Sequence, residues 1–290
     1  MKANLYALAA IALWASLAAL GVSLQHLPPF LLTGIALMIG STLAWPYVLK
    51  DRRQWKIAPG TLSLGVFTLF GFHFLLFIGL RIAPAVEVNL VNYLWPLFIV
   101  VLAPLYLPGV KLRGIHATAA LLGFAGAAMA ILGGRETVET TLGIASRNSA
   151  ALGYLLALGS ALIWANYSLQ TKRTELRGKG FPTAAIGLFG LVAGLLSLAC
   201  HWALEPPARV NLNDWMLLAV MGLGPLGAAF FLWDKALKQG DVRHIGILSY
   251  LTPLTSTVLL MVVTGRALTW NIGLAAVMIV GAALLGTNRR

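Results

Sequence analysis

Long apolar runs, separated by short polar connections, divide the 290 residues of the chain. A helix needs about 20 apolar residues to cross a bilayer. On that measure the runs predict ten spans, near 4–24, 30–49, 61–81, 87–107, 114–132, 150–171, 183–204, 213–234, 244–264 and 270–287. Connections such as Gln25 to Pro29 and Ile82 to Val86 leave no room for a soluble domain. The first run continues to Leu24 with no small-x-small cleavage site before Pro28-Pro29, so it is expected to remain as a helix rather than to act as a signal peptide.

Within this pattern a ten-residue motif, Y-L-x-P-L-x-x-x-V-L, occurs at Tyr93 and again at Tyr250, an offset of 157 residues. Leu75 and Leu232, Phe74 and Phe231, and Leu80 and Leu237 share that offset, while Trp14-Ala15-Ser16 meets Trp164-Ala165-Asn166 at an offset of 150. The expected organisation is a first five-helix repeat over 1–134, a linker over 135–149 and a second five-helix repeat over 150–290. Five spans is an odd number, so the second repeat enters the membrane inverted. The fold expected is an all-α membrane protein, with ten transmembrane helices as two inverted repeats around a central cavity. Related halves in opposite orientations are the plan of a secondary transporter working by alternating access.

Composition sharpens this picture. Hydrophobic residues make up 59% of the chain and charged residues 10%, against about a quarter charged in soluble domains. The net charge of +12 is not spread evenly: with the N-terminus inside, 16 of the 21 Lys and Arg fall on the inner side. Cationic loops resist translocation, so both termini are expected in the cytoplasm. The positive charge then needs anionic lipid and no nucleic acid. One cysteine, Cys200 in an apolar run, allows no disulfide within the chain and no cysteine metal site, and no cofactor or metal is implied.

Polar residues inside the runs mark the candidate chemistry. Asn89, Asn92, Tyr93 and Pro96 fall at i, i+3, i+4 and i+7, one helix face, and Gly246, Ser249, Tyr250 and Pro253 repeat it. Pro96 and Pro253 each remove a backbone donor and are expected to kink or unwind their helices. Such faces either line a cavity or hydrogen-bond a neighbouring helix. Trp14, Phe77, Trp164, Tyr167 and Phe231 form an aromatic set that either lines a pocket for an apolar or aromatic solute or simply packs. His73 lies midway along its run and Glu87 at the outer end of the next; these two are the candidates for proton coupling, with a satisfied neutral histidine as the other reading of His73. Asp234 and Lys235 read as an anchor or gate pair, Gly190-x-x-x-Gly194 as close helix packing, and Gly222, Gly224-Pro225 and Gly227 as a hinge. No H-E-x-x-H, P-loop, G-x-S-x-G or paired intramembrane carboxylate is present, so no catalytic residue is assigned and no enzyme is expected.

These marks resemble the drug/metabolite transporter superfamily, and within it the ten-helix members with two EamA-type repeats. The general features are Trp14 and Trp164 and the Tyr-x-x-Pro-Leu pattern at Tyr93 and Tyr250. The run Val91-Asn92-Tyr93-Leu94-Trp95-Pro96 is similar to the YddG-type aromatic amino-acid exporters of bacterial inner membranes, with Trp164-Ala165-Asn166-Tyr167 in agreement. The chain departs from the Gly-Glu that ends many EamA repeats, having Gly109-Val110 and Gly265-Arg266. The first run also lacks the glutamate of the small multidrug exporters. The resemblance implies a multi-pass inner-membrane exporter of aromatic and other neutral amino acids; ten spans in two halves can form a pathway alone, so a monomer is expected. Its solute would bind midway between the halves, against Trp14, Phe77, Trp164 or Phe231, with Asn89, Asn92, Tyr93, Tyr167, Tyr250 and His73 near it. A broad drug or metabolite exporter, or a scaffold that transports nothing, are the alternatives.

Overall fold

The structure is a computed structural model describing residues 2–133, 147–263 and 270–286. All of its regular elements are helices. They are α1 (Lys2–Ala15), α2 (Leu17–Ser23), α3 (Pro29–Ser41), α4 (Trp45–Lys50), α5 (Pro59–Ile82), α6 (Ala85–Asn92), α7 (Trp95–Tyr106) and α8 (Gly114–Gly133). Then follow α9 (Arg147–Leu176), α10 (Ala185–Leu204), α11 (Leu212–Leu223), α12 (Ala229–Gln239), α13 (Val242–Leu248), α14 (Leu251–Val263) and α15 (Trp270–Gly286). Among the described residues eight helical stretches are long and apolar enough to cross a membrane, and Trp270–Gly286 is a shorter apolar helix. The run expected over 244–264 is two helices, α13 and α14, of 7 and 13 residues, so neither alone has membrane length. Most of the expected linker, together with Arg135, Gly265, Arg266, Arg289 and Arg290, lies outside the described residues.

Two compact units make up the chain, one of residues 1–74 and 171–239, the other of residues 75–170 and 240–290. Each draws helices from both halves of the sequence, and the boundaries fall inside α5 and α9.

In the first unit α3 packs along α10, where small residues let the backbones approach. A Cβ on Gly194 would lie 2.9 Å from the Gly34 carbonyl, and one on Gly190 3.3 Å from that of Leu37. Between α11 and α12 the five residues Gly224–Ala228 form a π-helical turn, a local widening common at functional sites. Gly40 on α3 crosses that turn so closely that a Cβ would sit 2.8 Å from Gly227 Cα and from the Leu226 carbonyl. The Glu205 carboxylate, just past α10, accepts from the backbone N–H of Phe30 (3.1 Å) and Leu31 (3.3 Å) at the start of α3 and contacts His201 Nδ1 at 2.9 Å. It satisfies donors that a helix start otherwise leaves unpaired. The capping box of Asn211 and Asp214 opens α11, and His26 Nε2 lies 3.1 Å from Asp214.

Asp234 pairs differently from the sequence expectation. Its buried carboxylate accepts from Lys238 Nζ at 2.7 Å and from Thr183 Oγ1 at 2.7 Å. Lys238 also donates to the Phe181 carbonyl at 2.6 Å and lies 4.1 Å from the Phe181 ring centroid. Lys235 instead lies 5.7 Å from the Tyr6 ring centroid. Residues i and i+4 share a helix face and adjacent residues do not, which is why Lys238 is the partner.

In the second unit α8 and α15 cross through a seam of Ala127, Ala130, Ile272, Ala275 and Ile279. α13 lies on α7, where Gly246 leaves room for Ile99 and the Pro96 carbonyl. The end of α5 meets α9 at Gly79 and Gly153, beside a cluster of Ala83, Val88 and Ala157. Asp241 caps α13, accepting from Arg243 N at 2.9 Å, and the Arg243 guanidinium bonds both carboxylate oxygens and the Lys111 carbonyl.

Candidate substrate site

Both copies of the repeated motif interrupt a helix. The i→i−4 hydrogen-bond ladder gives way to i→i−3 bonds at Tyr93–Leu94 between α6 and α7, where Leu94 N bonds the Val91 carbonyl, and at Ser249–Tyr250 between α13 and α14, where Tyr250 N bonds that of Ile247. In each case a proline stands just inside the following helix, Pro96 in α7 and Pro253 in α14. A proline lacks an N–H and is tolerated in a first turn, where that donor has no intrahelical partner anyway.

Around the first interruption the second unit gathers polar and aromatic groups. Asn92 ends α6, is 7% exposed, and meets Ser160 of α9, whose Oγ lies 2.8 Å from Asn92 Oδ1. Trp95 packs edge-on against Trp164, with ring centroids 6.3 Å apart, and Trp164 lies 5.9 Å from Tyr167. Ser160, Trp164 and Tyr167 follow the i, i+4, i+7 spacing of one face of α9. Between Trp164 and Tyr167 in sequence, Asn166 Oδ1 accepts from the Tyr106 hydroxyl at 2.9 Å. Tyr93 and Asn89 are partly buried on the same segment, and Glu87 stands in the first turn of α6. Uncharged hydrogen-bonding groups beside flat apolar rings can orient a solute that carries an aromatic body and a polar head.

The other residues expected at a site each have surroundings of their own within their unit. Trp14 is in the first unit, where its ring packs 5.2 Å from Trp233 and 6.1 Å from Phe230, and its indole N–H donates to the Pro225 carbonyl. Phe231, next along α12, is partly buried. His73 on α5 is buried, with Nδ1 2.6 Å from the Leu69 carbonyl one turn back and its ring edge-on to Phe72. Phe77 lies on the stretch of α5 in the second unit. Tyr250 is fully buried against Phe124 and over Gly123, in the α8–α15 core.

Ser160 is the group the sequence reading did not single out. A serine within an apolar run carries little signal alone. Its spacing from Trp164 and Tyr167 was the available clue.

Residues 1–132 and 151–287 match the EamA-like transporter family. The protein named aromatic amino acid exporter YddG of Ancylobacter novellus is 36% identical over 99% of this chain and 97% of its own. The protein of that name from Escherichia coli is 30% identical over 98% of this chain and 96% of its own. A solved structure, titled only as the crystal structure of a protein, superposes with a TM-score of 0.88 at 35% identity, covering 99% of this chain and 98% of that one.

Proposed function

The chain belongs to the EamA-like transporter family, and from that premise we propose that this multi-pass membrane protein exports aromatic and other neutral apolar amino acids across a bacterial inner membrane. The observation that carries the substrate class is near-full-length likeness to two proteins named aromatic amino acid exporters. The cluster around Asn92 and Trp164 fits that class chemically. Its rings suit an aromatic side chain. Its amide and hydroxyl groups suit a zwitterion, which carries no net charge and asks for no buried Lys or Arg. The remaining sequence candidates, Trp14, His73, Phe77, Asn89, Tyr93, Tyr167, Phe231 and Tyr250, belong to the same proposal, with His73 and Glu87 as the groups to test for proton coupling.

The proposed topology has ten spans in two inverted repeats, with α13 and α14 together as the ninth span and α15 as the tenth. Both termini lie in the cytoplasm, where the basic loops fall. Inversion gives one pattern two near-equivalent arrangements, the basis of alternating access.

The test is efflux of labelled phenylalanine or tryptophan from liposomes containing purified protein, with and without an imposed pH gradient. Saturable efflux blocked by other neutral amino acids is the expected result. Efflux equal to that of protein-free liposomes would remove the substrate class. Inhibition chiefly by unrelated cations would favour a broad drug exporter.

A further inference from the structure

We propose that Ser160 is a positioning residue, fixing the Asn92 carboxamide so that its oxygen faces the solute and accepts a hydrogen bond from the solute's ammonium group. This rests on the amino-acid exporter reading and assigns an end of the solute to one residue.

Ser160 is fully buried on α9. Its Oγ has two oxygens at hydrogen-bond distance, the Ala157 carbonyl at 2.8 Å and Asn92 Oδ1 at 2.8 Å. A hydroxyl carries one proton and two lone pairs, so it can donate to only one of them. The unserved contact would then be two oxygens facing each other with no proton between them. The Ala157 carbonyl is fixed by the helix and cannot turn away. The carboxamide can: its oxygen and nitrogen are alike in shape, and a half-turn exchanges them.

With that half-turn each contact holds a proton. Ser160 donates back to Ala157, and an Asn92 N–H donates to Ser160. Two hydrogen bonds replace one, and in a buried site an unmade bond is costly. No other hydrogen bond holds the Asn92 carboxamide among the described residues, so Ser160 decides its orientation. The carbonyl oxygen is left as the acceptor that the serine does not occupy, at the end of α6 and three residues before Trp95. An uncharged acceptor selects a donor, and on an amino acid the strong donor is the ammonium group.

The test measures KM and Vmax for phenylalanine efflux in liposomes for the wild type, Ser160→Ala, Asn92→Asp, Asn92→Ala and the double variant Ser160→Ala/Asn92→Ala. Asn92→Asp keeps an acceptor, so it should raise KM several-fold less than Asn92→Ala does. Ser160→Ala should raise KM by roughly three- to tenfold and leave Vmax within about twofold. In the Asn92→Ala background, removing the serine should change KM no further, because its effect passes through the amide. A KM raised in Asn92→Asp as far as in Asn92→Ala, or further, would mean that Asn92 donates to the carboxylate, and would overturn the proposal. So would a Ser160→Ala effect that adds in full to that of Asn92→Ala. Either result with saturable wild-type efflux overturns this inference alone; absence of wild-type efflux overturns the exporter reading and this inference with it.

Discussion

The indole N–H of Trp14 donates to the carbonyl of Pro225, 3.1 Å away and 211 residues later in the chain. That carbonyl belongs to the π-helical turn, and the same indole packs on Trp233 and Phe230. The N–H is therefore committed to the turn, and Trp14 can present only its ring to a solute. Trp14→Phe keeps a ring but orphans a buried carbonyl, which should cost about 1–3 kcal/mol. Thermal unfolding in detergent should show a lowered midpoint for Trp14→Phe and a larger drop for Trp14→Ala, which also leaves a cavity. Equal midpoints for wild type and Trp14→Phe would show that the hydrogen bond contributes nothing.

Lys238 and Lys235 separate cleanly as a pair of substitutions. Lys238→Met leaves the buried Asp234 carboxylate with Thr183 but no cation, and removing one partner of a buried ion pair costs about 3–5 kcal/mol. Lys235→Met gives up only a contact with the Tyr6 ring, worth about 0.5–1 kcal/mol. The folded yield and melting midpoint of Lys238→Met should fall well below those of Lys235→Met. The combined change Asp234→Leu/Lys238→Met should recover part of the loss, since it leaves no unpaired charge.

Residues with a local reason to be where they are could be read from the sequence, and those joined only through the fold could not. Apolar length placed the membrane helices, and the Tyr-Leu-x-Pro motif marked two of the interrupted ones, because proline's missing donor acts at its own position. The lysine partner of Asp234 was missed by weighing adjacency in sequence above the helical repeat. Glu205 gave no hint that it serves the start of α3, since its partners Phe30 and Leu31 lie 175 and 174 residues away. The interruption at Ser16, between α1 and α2, has no proline and no glycine next to it. The corresponding Asn166 lies within the continuous α9. We have no physical account of that difference.

Tyr250 and Gly123 form a tight fit. A Cβ on Gly123 would lie 2.5 Å from Tyr250 Cδ2, so Gly123→Ala should overpack this core and cost about 1–3 kcal/mol. Tyr250→Ala should cost more, about 3–5 kcal/mol, because it empties a fully buried site. If Tyr250 acts mainly through packing, Tyr250→Phe will export like wild type while Tyr250→Ala loses folded protein. Loss of export in a stable Tyr250→Phe protein would instead place its hydroxyl on the solute.

Acid should weaken the start of α13. Burial raises the Asp241 pKa, but the hydrogen bonds and charge of Arg243 outweigh that and hold the carboxyl below its usual range. A carboxylate depressed in the folded state adds stability above its unfolded pKa of about 4, and loses that stability as pH falls through the folded value. The Asp241 side chain is 47% exposed, so solvent screens the effect and it should be small. Melting midpoints of wild type and Asp241→Asn should differ at neutral pH and converge in acid below the ordinary carboxylate range. A difference that persists there would show that the capping amide geometry, rather than charge, sets the contribution.

Trp164 is the aromatic residue on which the proposed site depends most. It lies between Trp95 and Tyr167 on the face of α9 that also carries Ser160, and it is 5% exposed. Trp164→Ala removes both ring contacts, so its loss of export mixes lost solute binding with lost packing, the latter about 3–5 kcal/mol. Trp164→Phe keeps a flat ring and most of the packing, and it isolates the part that depends on the indole. If the ring stacks on the solute, Trp164→Phe should raise KM for tryptophan and phenylalanine by a few-fold, with folded yield close to wild type. KM for a small neutral amino acid such as alanine should move less, because it has no ring to stack. A parallel rise for all three solutes would mean that Trp164 shapes the site without touching the side chain, and the aromatic preference would have to come from other residues.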